Sequence, residues 1–149
     1  MRTPPPSRPQ PRSDRGHLDH VVEAWSRAEH DADDLEIQRL VADGVVLVVV
    51  GQDLADLRGR RAVIAWHRDQ AANALHERDV PVRRVYGWAS VLDDAVRHSR
   101  VTGSLFGFRG GGRRVSYRLR RLFELEEGRV SRLTVWPDLE ALERQLATD

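Results

Sequence analysis

Two side chains suited to chemistry stand among apolar residues on one face of a predicted strand near the C-terminus. Arg121 is the only charge on that face, and Tyr117 lies four residues before it on the same side. Because burial of an unpaired guanidinium is costly, Arg121 either pairs with an internal carboxylate or faces a pocket that holds water or an anion. In a pocket, Arg121 can stabilise an enolate, phenolate or carboxylate, and Tyr117 can donate to a carbonyl oxygen; plain packing is the alternative for Tyr117. The apolar members of this face are Val115, Leu119, Phe123 and Leu125.

His98 is the one histidine predicted within the strands of the second half of the chain. A histidine with a pKa of about 6.5 is a natural acid or base near neutral pH, which makes His98 a candidate catalytic residue. Counting alternate residues back from Leu105 instead places His98 on the outer face, as a surface or interface residue. His17 and His20 lie one helical turn apart, but no further ligand cluster accompanies them, so we predict no metal site.

Hydrophobic periodicity predicts helices first and strands afterwards. The helices are expected at 18–30, 33–44 and from 60 to about 76, with a buried strand at 45–50. From residue 80 the period becomes 2, which predicts a meander with strands at 80–91, 95–108, 114–125 and 130–136. The turns are expected at 93–94, 110–112 and 126–128, and Asp138 caps a terminal helix at 139–146.

This order predicts an α+β fold in which the helices pack in the concave face of a strongly curved antiparallel or mixed sheet, as a cone-shaped α+β barrel. The length of 149 residues fits one domain at 17–149, after a disordered tail at 1–16 that is rich in proline and arginine. We find no phosphate loop or dinucleotide fingerprint and predict no cofactor.

The charge balance of 24 basic and 23 acidic residues leaves no single-sign field for nucleic acid or an anionic membrane, so we expect neither partner. The longest apolar run, 45–50, is far shorter than the roughly 20 residues of a membrane span. The absence of cysteine excludes disulfides and is compatible with a reducing compartment, so we expect a cytoplasmic protein.

The order and spacing of three segments resemble the SnoaL-like polyketide cyclase family. This family belongs to the cone-shaped superfamily that includes ketosteroid isomerase, scytalone dehydratase and nuclear transport factor 2. The resemblance extends over residues 18–147, and the segments are LADLRGRRAVIAWHRD, VTGSLFGFRGGGRRVSYRLRRLFELEEGRV and WPDLEALERQLA.

The resemblance implies a pocket for a small apolar molecule and a homodimer formed through the open sheet face. Cyclases of the family use a histidine and an aspartate as acid and base, but Leu105 and Arg121 occupy those two positions here. Leucine transfers no proton and arginine is no base at neutral pH, so the usual dyad is absent. The expected pocket residues are Trp25, Trp66, Tyr86, Trp88, Leu105, Leu119, Phe123 and Trp136.

Some of these residues have alternatives. Trp66 fits the core equally well, Tyr86 and Trp88 fit an outer dimer face, and Trp136 either closes the mouth of the cone or packs beneath the terminal helix. The leading functional hypothesis is a cyclase or isomerase type of enzyme in natural-product biosynthesis that acts on a polyketide-like substrate.

Two further hypotheses stay open. The first is a noncatalytic ligand-binding or dimerisation module. The second is an epoxide hydrolase or an ether-ring-forming cyclase, which requires a carboxylate in the pocket. Asp53, Asp56 and Glu124 are the candidates for that carboxylate.

Overall fold

The computed structural model describes residues 12–146 and has the predicted α+β fold. Helix α1 begins after Asp14, whose carboxylate accepts a hydrogen bond from the His17 amide at 2.8 Å, and it ends at Ala32 in a left-handed conformation. The elements are α1 (Arg15–Asp31), α2 (Asp34–Leu40), β1 (Val41–Val49), β2 (Leu57–Arg58), α3 (Arg60–Asn73), β3 (Ala74–Tyr86), β4 (Ser90–Val101), β5 (Ser104–Leu105), β6 (Phe108–Arg109), β7 (Arg113–Glu126), β8 (Arg129–Pro137) and α4 (Leu139–Leu146).

Six strands form a mixed sheet in the order β2-β1-β8-β7-β4-β3. Strands β1 and β8 are parallel, and the other neighbours are antiparallel. The sheet is not closed. Helix α1 packs against its inner face, where the rings of Trp25 and Phe123 meet edge to face with centroids 5.9 Å apart. Helix α4 lies beside β7, where Gln145 hydrogen-bonds the Ser116 backbone. Strands β5 and β6 form a separate small hairpin beside this core.

The turn predicted at Asp93 and Asp94 is wrong, because both residues lie inside β4 and are only 3% exposed. Adjacent aspartates are typical of turns, but arginines on the neighbouring strands neutralise these two. The chain reverses instead between Gly87 and Ser90. A Cβ atom added to Gly87 would lie 2.2 Å from Ser90 Oγ, so a larger residue there would displace the Ser90 hydroxyl.

The bounds of the two strands beside this turn also differ from the prediction. Strand β3 begins at Ala74, so His76 belongs to a strand, and β4 already ends at Val101. The chain then turns through Phe106 and Gly107, with φ angles of 47° and 87°, in the β5–β6 hairpin. A single long strand to residue 108 is therefore excluded.

The second helix is shorter than predicted, since α2 ends at Leu40 and Gly44 lies within β1. Val41 is already extended, in line with the preference of β-branched residues for strands. The last elements are confirmed: the turn before Arg129 has positive φ at Glu127 and Gly128, and Asp138 caps α4 through a 3.1 Å bond from the Ala141 amide. None of the helices within 12–146 is long and apolar enough to cross a membrane.

Candidate functional site

The inner face of the sheet carries two rows of charged and polar residues that run across β3, β4 and β7. Strand register pairs Arg84 with Asp93 and Asp93 with Arg121 in one row. In the other row, Asp79 pairs with Arg97 and Arg97 with Tyr117. Charges thus alternate in sign across neighbouring strands, which is the favourable arrangement for cross-strand pairs.

Arg121 has internal carboxylate partners. Its Nη1 donates to Glu29 Oε1 at 2.7 Å, and its Nη2 donates to Ser26 Oγ at 2.8 Å and to Asp93 Oδ2 at 3.1 Å. The side chain is 2% exposed, so these contacts supply the compensation that burial demands. Its Nε, however, is buried and has no hydrogen-bond partner among residues 12–146.

Glu29 joins the two rows from above, on α1. Its two carboxylate oxygens accept from Arg97 at 2.9 and 3.1 Å, and one of them also accepts from Arg121. Arg97 in turn donates to both oxygens of Asp79, at 2.8 and 2.9 Å. Glu29, Arg97 and Arg121 with Asp79 and Asp93 are called the ion network below.

The charges of the ion network control the protonation of its members. Burial alone raises the pKa of Glu29, but the positive fields of Arg97 and Arg121 and the Arg97 hydrogen bonds outweigh it, and the pKa falls to about 2. The same arginines lower the pKa of Asp79 against the opposing effect of burial. These carboxylates are therefore ionised at neutral pH.

Three uncharged side chains, Tyr117, Ser99 and His76, are buried beside the ion network. His76 Nδ1 lies 2.9 Å from Ser99 Oγ. Burial raises the pKa of Tyr117 to about 12, and burial together with the field of Arg97 lowers the pKa of His76 to about 3. Both side chains are thus uncharged at neutral pH.

Glu29, Arg97 and Arg121 of the ion network line a small space, the interior cavity, of about 10 Å³, together with Tyr117 and His76. This volume holds about one water molecule. The apolar part of the wall comes from α1, α3, the β5–β6 hairpin and strands β7 and β8. Its residues are Trp25, Trp66, Phe106, Leu119, Leu133 and Val135.

A second space of about 350 Å³, the rim pocket, opens between α3, the end of β1 and the β5–β6 hairpin. It shares Trp66, Gln70 and Phe106 with the interior cavity. The Phe106 ring stands edge to face on Tyr117, with centroids 6.4 Å apart, and Gln52 Nε2 donates to the Phe106 carbonyl at 3.3 Å. These three shared side chains separate the two spaces.

The structure brings some of the predicted site residues together and leaves others apart. Arg121, Tyr117, Trp25, Trp66 and Leu119 line the interior cavity. Leu105 and Phe123 are buried in the core. Tyr86 donates to Asp19 of α1 at 2.7 Å. His98, Trp88 and Trp136 lie away from the cavity, in each case at the outer surface or in a turn.

Sequence reasoning missed Glu29, Asp79, Arg97, Ser99 and His76. A signal existed for Glu29, which follows Trp25 by four residues and so continues the apolar stripe of α1. Arg97 and Ser99 share the inner side of β4, in the phase that the count back from Leu105 implies, but neither was singled out as a site residue. The three candidate carboxylates Asp53, Asp56 and Glu124 do not line the interior cavity.

Four helices packed against an open, mostly antiparallel mixed sheet define the cone-shaped α+β class to which nuclear transport factor 2 and ketosteroid isomerase belong. Within this class, the SnoaL-like domain family matches residues 18–133. The chain therefore belongs to the SnoaL-like domain family. A search of curated proteins found no match.

Solved structures with this fold carry several different activities in their descriptions. TsrD from Streptomyces laurentii has a TM-score of 0.76 and 20% identity, over 91% of this chain and 98% of TsrD. An LEH-like epoxide hydrolase of M. tuberculosis has a TM-score of 0.70 and 20% identity, over 88% of this chain and 90% of the hydrolase chain. A proposed polyketide cyclase from Pseudomonas putida has a TM-score of 0.75 and 15% identity, over 85% of this chain and 96% of the cyclase chain. Similarity at this level shows the common fold.

Proposed function

We propose that this protein is a small-molecule enzyme of the cyclase or isomerase type that binds a largely apolar substrate and polarises one of its oxygen atoms. The observation that carries the proposal is the buried Nε–H of Arg121, which lacks an acceptor among the described residues although its side chain lines the interior cavity. A buried donor left without an acceptor costs about 1–3 kcal/mol. A substrate oxygen bound there removes that cost.

The chemistry follows from the groups around this donor. Arg121 and the Tyr117 hydroxyl offer hydrogen bonds to an oxygen that gains negative charge, as in an enolate. Glu29 is a weak base, since its pKa is about 2. The proposed catalysis therefore depends on charge stabilisation and on holding a flexible substrate in its reactive conformation, which lowers the entropic barrier.

The substrate reaches Arg121 from the rim pocket. That pocket lies within the range of roughly 300–1,000 Å³ typical of ligand sites, whereas the interior cavity accepts one water-sized group. We propose that the Phe106 side chain moves aside on binding, so that the two spaces join. The apolar rings of Trp66 and Phe106 favour a planar, polyketide-like substrate, which supports the proposed role in natural-product biosynthesis.

The test uses 1-tetralone, a compact ring ketone, and its hydrocarbon counterpart tetralin, with binding followed by tryptophan fluorescence. We expect the carbonyl stretch of bound 1-tetralone to lie at lower frequency than in water, because its oxygen accepts from a cation. Tyr117→Phe should reduce this shift. Tyr86→Phe, which removes a hydroxyl bonded to Asp19, is the matched control and should leave it unchanged. An unshifted carbonyl in the bound ketone contradicts the proposal.

Exchange of the α-protons of 1-tetralone in D₂O separates an enzyme from a noncatalytic binding module. An enzyme that stabilises an enolate accelerates the exchange, and the acceleration falls with Tyr117→Phe. A module that only binds leaves the exchange rate of the ketone at its solution value. The absence of the family dyad favours the module, so this measurement decides between the two.

Opening of an epoxide or closure of an ether ring is the second candidate, because a buried carboxylate, Glu29, does line the interior cavity. The description of one solved structure of this fold as an LEH-like epoxide hydrolase adds support. Styrene oxide in ¹⁸O-water tests it. Formation of labelled diol that Glu29→Gln abolishes, in variant protein that circular dichroism shows to be folded, supports this reaction. Unchanged styrene oxide excludes epoxide hydrolysis of this substrate.

We also propose a cytoplasmic homodimer that forms through the outer sheet face. Val85, Leu92 and Leu122 form an apolar row across β3, β4 and β7 on that face, and Val85 is 49% exposed. Light scattering after gel filtration should give twice the chain mass, and Val85→Glu should give the monomer. A wild-type mass of one chain would contradict the proposed dimer. It would not affect the proposal for the interior cavity.

A further inference from the structure

A second opening of the protein, the side groove, lies between α1 and β3 and has a volume of about 220 Å³. The residues that line it come from α1, from the first half of β3 and from β4. It shares none of them with the rim pocket. A ligand can therefore occupy the side groove without entering the path proposed for the substrate.

Two arginines in the lining of the side groove lack an ionic partner. Arg27 of α1 and Arg78 of β3 both line the groove, and both are exposed. No carboxylate of residues 12–146 lies within 4.0 Å of either guanidinium. Two positive charges therefore face the groove without a counter-charge in the described part of the chain.

The other charged residues of the lining are paired. Both oxygens of Asp79 accept from Arg97, at 2.8 and 2.9 Å, and Arg97 also donates to Glu29. Glu77 Oε1 accepts from Arg114 Nε at 3.0 Å. The two carboxylates that would repel an anion are thus engaged by arginines, and the unpaired charge in the groove is positive.

The Ser26 hydroxyl, which also lines the side groove, adds an uncharged donor. Its oxygen accepts from Arg121 Nη2 at 2.8 Å, and its own proton has no acceptor among residues 12–146. A hydroxyl both accepts and donates, so the bond from Arg121 leaves this proton available to a ligand. The groove therefore combines two unpaired cations with one unused hydroxyl donor.

We propose that the side groove binds a phosphate group, as inorganic phosphate or as part of a small phosphate monoester, through Arg27, Arg78 and the Ser26 hydroxyl. Arginine matches phosphate oxygens with paired N–H donors, and a phosphate charge of about −1.5 to −2 at pH 7 balances two arginines. Because the groove is smaller than the roughly 300–1,000 Å³ of sites for larger ligands, it holds the phosphate group and leaves the remainder of an ester outside. The inference goes beyond the proposed function, since it requires neither the rim pocket nor Arg121 Nε.

The experiment follows the His30 ring by ¹H–¹³C NMR while inorganic phosphate replaces sodium chloride at pH 7 and constant ionic strength. His30 lines the groove, and its Nδ1–H donates to the His76 backbone carbonyl, since a carbonyl oxygen only accepts. This bond holds the ring in place as a reporter. The signal is assigned by its loss in His30→Gln, and we expect it to shift with phosphate and to saturate.

Two variants test the arginines. Arg27→Gln and Arg78→Gln should each raise the Kd for phosphate roughly tenfold or more, because each removes a charged hydrogen-bond donor. Arg61→Gln is the matched control: it removes the same charge from an exposed residue of α3 that does not line the groove, and it should change the Kd less than about twofold. Circular dichroism of each variant shows that the comparison is made on folded protein.

The site is overturned if the His30 shift does not saturate, or if all three substitutions weaken it equally, since either result shows an adventitious ion only. A Kd that Arg27→Gln and Arg78→Gln leave unchanged overturns it as well. Methyl phosphate distinguishes the two sources of the group. Binding as tight as that of inorganic phosphate supports a site for esters, and binding of inorganic phosphate alone supports a site for the free ion.

Discussion

Replacement of Glu29 by glutamine should destabilise the protein strongly at neutral pH. The carboxylate is 9% exposed and accepts three hydrogen bonds from Arg97 and Arg121. Glutamine keeps one acceptor oxygen but no charge, and loss of one partner from a buried ion pair costs about 3–5 kcal/mol. The fall of the Glu29 pKa from 4.5 to about 2 corresponds to a similar figure, ~3 kcal/mol.

The sign of the pH dependence follows from the lowered pKa. The unfolded chain binds a proton at Glu29 below about pH 4.5, whereas the folded protein does so only near pH 2. The contribution of Glu29 is therefore complete above about pH 5 and is lost as the pH falls towards 2. Glu29→Gln lacks this contribution at every pH, so the difference between the two proteins should shrink on acidification.

The assay is urea unfolding followed by tryptophan fluorescence at pH 7 and pH 3. Glu140→Gln is the matched control, since Glu140 is a helical glutamate paired with Arg144 but 83% exposed, and it should change the stability by less than about 0.5 kcal/mol. A loss of under about 1 kcal/mol in Glu29→Gln at pH 7 would refute the role of the ion network as the support of Arg121.

Three further outcomes are expected. Phe106→Ala should open the interior cavity to the rim pocket and speed the association of 1-tetralone in stopped-flow fluorescence, whereas an unchanged rate contradicts access at Phe106. The ring protons of His76 should not titrate between pH 8 and 5 by NMR, since the pKa of His76 in the folded protein is about 3. Because the unfolded chain binds a proton at this histidine below about pH 6.5, His76 lowers the free energy of unfolding as the pH falls. His76→Gln should lessen this loss of stability. Gly110→Ala places a Cβ atom 2.0 Å from the Val101 carbonyl oxygen and should lower the free energy of unfolding in urea by over about 2 kcal/mol. Gly44→Ala places its Cβ atom in open space and should be nearly neutral. Equal effects of the two substitutions would contradict the close approach at Gly110.

The sequence was most informative where one physical signal acted alone. Strict alternation from residue 115 to 125 predicted the buried face of β7, and Asp138 predicted the start of α4. The pairing of Asp93 and Asp94 with arginines depends on which strands are neighbours, and two adjacent aspartates otherwise favour a turn. Local pattern therefore misplaced that turn.

The candidate site was predictable in part for the same reason. The odd charge at Arg121 indicated either an ion pair or a pocket, and the structure contains both: carboxylate partners at the Nη atoms and an unpartnered Nε on a residue that lines the cavity. Glu29, Arg97 and Asp79 come from α1, β4 and β3, and no sequence spacing relates them. Their meeting depends on strand register and on the position of α1 over the sheet.

The most direct test of the proposed function is a crystal structure of the protein with 1-tetralone bound. The carbonyl oxygen is expected about 3 Å from both Arg121 Nε and Tyr117 Oη, with the Phe106 ring displaced from Tyr117. Ketone bound only in the rim pocket, with Phe106 in place and a water molecule on Arg121 Nε, would contradict it.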